Sequence, residues 1–195
     1  MNIKLILSIS LPSIILFVIT YILDMKILTN TPIYIMPLFF GIVIGAFNYK
    51  YYRYKIYFNQ TVQAILISII ISYACFYFAV FSFVLIAYFL DCLYLIDLLP
   101  KMLGKESRAS LSICLAMNLV APLSLLFAYK RVFTVTKGKT KNGVITVVLT
   151  TILTVLLSFF YYNINSIVLL LWMPLVALSL QLVIYQKEII SNFKN

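Results

Sequence analysis

The chain reads as a series of long apolar runs separated by short polar stretches. The runs cover residues 3–23, 32–47, 62–90, 111–129, 144–162 and 166–184. Within them apolar residues fall on every side of a helix rather than on one stripe. A helix that is hydrophobic all round is either deep in a large core or surrounded by lipid. About 20 helical residues rise ~30 Å, the thickness of a bilayer's hydrocarbon core. Open sheets cannot cross a membrane, and uninterrupted apolar runs are wrong for alternating barrel strands. The pattern predicts an all-α integral membrane protein, a polytopic bundle of about six transmembrane helices in a single domain over residues 1–195, several of them kinked by proline.

Individual runs refine this. The first resembles a signal peptide, but no small-residue cleavage site follows, so it is expected to be a retained span ending at Asp24 and Lys26. The second begins at Pro32, which suits a first helical turn, and is short for a full crossing. The 29 uncharged residues of 62–90 would rise ~43 Å as one helix, so that helix must tilt, kink or project. Residues 91–100 mix two acids with leucines. They read as a helix end, an interfacial helix or a re-entrant segment, which leaves the span count between five and seven. Asn163-Ile164-Asn165 makes the last tight turn.

Composition supports the membrane reading. Hydrophobic residues make up 64% of the 195 and charged residues 10%, against roughly 45–50% and 25% in soluble domains. It also removes chemistry. There is no histidine, which excludes the common zinc sites and Ser-His or Cys-His catalysis. The acids Asp24, Asp91, Asp97, Glu106 and Glu188 avoid the centres of the runs, where an ion-coupled pump keeps them. Cys75, Cys92 and Cys114 form no CxxC motif and read as free thiols. No glycine-rich phosphate loop is present. No catalytic, cofactor-binding or metal-binding residue is therefore expected, and the chain is read as a non-enzyme.

The net charge of +10 takes its meaning from the membrane. With six spans both termini share a side with the second and fourth connections. That side then carries eleven of the fifteen Lys and Arg residues, and the positive-inside bias makes it cytoplasmic. Residue usage rich in Ile, Tyr, Phe and Lys and poor in Ala and Gly points to an AT-rich bacterial genome, hence to an inner membrane. The segment 49–58 interleaves tyrosines with Lys50, Arg53 and Lys55, an expected collar at the headgroup layer.

Three constellations stand out as candidate sites. Gly41 and Gly45 lie four apart in the second span and let two helices approach closely, within the chain or between copies. Pro122 lacks an N–H and frees the carbonyl of Asn118, placing an amide and a loose backbone oxygen near mid-membrane. Such a patch either fixes packing or lines a path. Gln63 and Gln181 are expected nearer the interfaces. The loop after the fourth span holds Lys130, Arg131, Lys137, Lys139 and Lys141 without an acid, a topology signal that also suits docking of an acidic partner or lipid.

These features favour an accessory, regulatory or immunity/defence-type component of a larger system. It would act by binding a membrane or cytoplasmic protein partner. A small transporter subunit or homo-oligomeric pore comes second and an intramembrane enzyme last. Nucleic acid is the weakest partner class, because the tyrosines already have a membrane role. Asn118→Leu is expected to leave membrane insertion intact, as read by protease protection. Unchanged folding and activity in that variant would remove the polar patch from consideration.

Overall fold

The computed structural model describes residues 3–27, 35–54, 59–95, 111–113, 115–134 and 165–194. Its named elements are α1 (Ile3–Ile27), α2 (Met36–Asn48) followed by a 3-10 turn (Tyr49–Tyr51), α3 (Gln60–Leu95), a π-helical turn (Ala116–Val120) leading into α4 (Ala121–Val132), α5 (Asn165–Ile184) and α6 (Gln186–Lys194). The described chain is helical without strands, apart from an isolated antiparallel bridge between Tyr52 and Phe133.

Two helices are long and apolar enough to cross a membrane, over Ile3–Leu23 and Gln60–Tyr94. A third results if Trp172–Ile184 and Gln186–Asn192, bent by 65° from each other, are one broken span. This is compatible with a membrane protein but does not establish six spans. The expected fifth span, 144–162, lies outside the described residues. Of the second, the described residues hold α2, whose 13 residues rise ~20 Å.

Several boundaries differ from expectation for local reasons. The described part of the second run becomes helical at Met36, with Pro37 in its first turn, where a missing N–H leaves no bond unmade. Pro122 likewise stands in the first turn of α4, directly after the π turn, in which the N–H of Ala121 reaches back to the carbonyl of Ala116. Widening a turn beside proline is one way a helix absorbs the missing donor. By contrast, Pro12 and Pro174 lie inside α1 and α5. α3 runs on through Asp91 to Leu95, so the first half of 91–100 continues a helix. α4 continues past Lys130 and Arg131 to Val132, since cations suit the negative end of a helix.

Outward and inward faces are inverted relative to a soluble bundle. α1 exposes Leu7, Ile14, Phe17 and Val18 while burying Ser13 and Thr20. α3 exposes Ile70, Tyr77, Phe81 and Phe89 while burying Ser68 and Ser72. In an apolar solvent burial of apolar surface gives no drive, and helices associate through close packing and internal hydrogen bonds. Some of the buried hydroxyls are tied back to their own helices. Thr20 Oγ1 donates to the Leu16 carbonyl at 2.6 Å, and Ser72 Oγ to the Ser68 carbonyl at 2.8 Å.

Close packing is set by a stripe of small residues along α3. Ala64, Ser68, Ser72, Cys75 and Ala79 recur at helical spacing and are all buried. α2 lies on this stripe through its glycines. A Cβ at Gly41 would stand 2.5 Å from the Ile69 Cα, and one at Gly45 would stand 2.5 Å from the Ile65 Cα and 2.7 Å from the Ala64 carbonyl oxygen. The obstructing atoms are backbone, so they cannot swing aside. α4 engages the same stripe through fully buried Tyr129. Its hydroxyl donates to the Ser68 carbonyl at 3.0 Å and lies 3.0 Å from Ser72 Oγ. Phe133 stacks on the Tyr129 ring at 5.7 Å, and Phe40 of α2 meets that ring edge-on at 6.4 Å.

Gly41→Ala and Gly45→Ala should each cost about 1–3 kcal/mol, the usual range for overpacking. The measure is a lower thermal midpoint of the purified protein in detergent. A change of oligomeric state with no loss of midpoint would instead place the glycines in contacts between copies.

Candidate functional site

One end of the bundle gathers segments far apart in sequence. Arg53 N–H donates to the Val132 carbonyl at 3.0 Å, and Thr134 N–H to the Tyr51 carbonyl at 2.7 Å. The Thr134 hydroxyl reinforces the second bond at 2.9 Å. Between these bonds the rings of Tyr52 and Phe133 meet edge-on at 6.2 Å. The C-terminal helix is fastened to the same end, where the Tyr51 hydroxyl donates to Glu188 Oε1 at 2.9 Å and its ring meets Tyr185 at 5.0 Å. So the segment after α2, the end of α4 and the start of α6 converge.

Charge follows from this convergence. Lys50, Arg53, Lys130, Arg131 and Lys187 all lie within two residues of one of these contacts. Arg53, Arg131 and Lys187 are exposed and Lys130 is half-buried. Lys50 Nζ lies 6.0 Å from the Tyr49 ring centroid, the outer limit of a cation–π contact. The acid among them is Glu188, with Oε1 engaged by Tyr51 and Oε2 without a hydrogen-bond partner. The structure therefore joins Lys130 and Arg131 to the tyrosine-cation segment 49–54. Lys137, Lys139 and Lys141 lie outside the described residues. The tyrosines are more than an interfacial collar, since Tyr52 is 4% exposed and Tyr51 is a packing and hydrogen-bonding pin.

The other candidate residues lie apart from this end. Gly41 and Gly45 are consumed in the α2–α3 contact. Asn118 is in the π turn and Pro122 is buried just after it, while the Asn118 side chain falls outside what the structure describes. Ala121, adjacent to Pro122, lines an apolar crevice of about 50 Å³ together with Met36, Phe40, Cys75, Leu125 and Trp172. Ligand pockets run to roughly 300–1,000 Å³, so this crevice is too small for a metabolite. Among the described residues no three His, Cys, Asp or Glu side chains gather as metal ligands.

Gln181, expected nearer an interface, is 0% exposed within the bundle, and neither its amide nitrogen nor its amide oxygen has a hydrogen-bond partner. Two further features were missed. The small-residue stripe of α3 was visible as four-residue spacing inside a uniformly apolar run. The Tyr129 hydroxyl, which binds residues 57 and 61 positions away, left no local signal.

No protein-family model, no curated protein and no solved structure matches this chain.

Burial first, and then the hydrogen bond and charge of Glu188, raise the Tyr51 phenol well above its ordinary range. A raised folded-state pKa means that its contribution is complete below about pH 10 and fades as pH climbs beyond. Tyr51→Phe keeps the ring and removes the pin. It should cost about 1 kcal/mol and speed hydrogen exchange in Gln186–Asn192 while leaving α1 protected.

Proposed function

We propose that this chain is a non-enzymatic multi-pass protein of a bacterial inner membrane, with both termini cytoplasmic, which serves as an accessory or regulatory component by binding an acidic partner protein at its basic end. The observation that carries the reading is the convergence of Lys50, Arg53, Lys130, Arg131 and Lys187 on three segments, two of them joined by backbone hydrogen bonds and the third fastened by the Tyr51–Glu188 hydrogen bond. Like charges held together repel, and a positive field of this kind favours encounter with a negative surface. The same end carries the segments that the positive-inside bias assigns to the cytoplasm. Lys137, Lys139 and Lys141 extend the charge along the chain beyond Thr134. Defence or immunity systems are one setting for such a component.

The test is affinity purification from the native host in mild detergent, with crosslinking and native mass measurement. The expected result is a stoichiometric second protein. It should be lost when Lys130, Arg131, Lys137, Lys139 and Lys141 are changed together to Gln, and at raised salt, since exposed charge interactions are screened within ~10 Å at 0.1 M. A clean homo-oligomer with no partner would overturn the reading in favour of a pore or transport subunit, to be followed by liposome flux.

A further inference from the structure

Helix α6 differs in kind from the helix it continues. α5 is largely apolar, whereas the nine residues of α6 include two lysines, an acid, a serine and an asparagine. By helical register Ile189, Ile190 and Phe193 share one arc of α6. Lys187, Ser191 and Lys194 share the arc on one flank, and Glu188 lies on the other flank. Such a helix does not extend a membrane crossing, because lysine is costly in hydrocarbon. Amphipathic helices with lysine on the polar face lie in the interface, with the apolar arc toward the acyl chains.

The placement of α6 agrees with this pattern. α5 packs along α1, one of the two helices long and apolar enough to cross a membrane. The segment Gln186–Asn192 leaves Trp172–Ile184 at 65°, so it runs nearer to the membrane plane than to the normal. The level is fixed by α3, the other crossing helix. Its first residue, Gln60, donates from its side-chain amide to the Tyr49 carbonyl at 3.2 Å, two residues from the Tyr51 that holds α6. A bundle is surrounded by the headgroup layer where its crossing helices begin.

The flanks of α6 meet different neighbours. Glu188 is taken by the bundle through the Tyr51 hydroxyl at 2.9 Å. On the apolar arc Ile189 packs against the core and Ile190 is half-buried. The flank of Lys187 and Ser191 is exposed, and so is Lys50, next in sequence to Tyr51. Exposed cations at headgroup level are complementary to the anionic lipids of a cytoplasmic leaflet.

We propose that α6 is an interfacial anchor whose Lys187 flank binds anionic phospholipid headgroups, with Lys50 adding charge at the same level and the Tyr51–Glu188 bond holding the other flank to the bundle. This rests on the membrane placement in the reading above and not on the acidic partner, to which Arg53, Lys130 and Arg131 remain.

The test holds the full chain in nanodiscs of phosphatidylcholine, alone or mixed with phosphatidylglycerol, and follows hydrogen exchange. In the anionic discs exchange over Gln186–Asn192 should be slower by roughly fivefold or more, the effect of one or two lysines at an anionic surface, with α1 and α3 unchanged. The difference should vanish at raised salt and when Lys50→Gln and Lys187→Gln are combined, and it should persist in Lys187→Arg. Equal exchange in the two discs, a slowing shared by α1 and α3, or a slowing that survives loss of both lysines would overturn the proposal. If the double variant does not fold, the wild-type chain decides through salt alone, since a slowing that persists at raised salt overturns it. Lipid-dependent exchange without a co-purifying protein would support the anchor and fault the partner reading alone.

Discussion

Everything in this bundle is referred to the backbone contact between α2 and α3. A 13-residue helix is near the limit of independent stability, and α2 keeps its place because Gly41 and Gly45 let it lie on the α3 main chain. That placement decides where Asn48 ends the helix and where Tyr49–Tyr51 turns. From there Tyr51, Tyr52 and Arg53 reach α4 and α6. Moving α2 outward by the width of a methyl group would shift each of these contacts at once.

Polar groups are paired unevenly along the described helices. Ser72 and Tyr129 share the Ser68 carbonyl between them, and Thr20 and Ser179 are tied to their own helices, whereas side-chain atoms of Ser13, Ser68 and Gln181 have no partner. α3 meets α2 and α4 through small residues and one fixed phenol, while α1 and α5 each contain a proline, Pro12 and Pro174.

What was legible in the sequence was whatever depends on near neighbours. The apolar runs located α1, α3 and α5, and the last was placed within one residue at its start, 166 against Asn165. Glycine spacing marked the close-packing face of α2, and Pro122 marked an irregular turn. What depends on distant residues was not legible. Nothing local links Tyr52 to Phe133, or Tyr51 to Glu188 at 137 positions' separation. The burial of Gln181 among its neighbours likewise left no signal in the sequence around it. Among candidate residues, Lys130 and Arg131 were singled out from charge alone, while their neighbourhood with Arg53 required the fold.

The missing N–H of Pro12 interrupts the hydrogen-bond ladder inside α1, which gives that helix the mechanics of a lever. The part beyond Pro12, ending at Ile27, is an arm of ~23 Å. A bend of roughly 10° at that fulcrum would carry the far tip by ~4 Å. The same small hinge movement is thus slight beside Pro12 and magnified where α1 finishes.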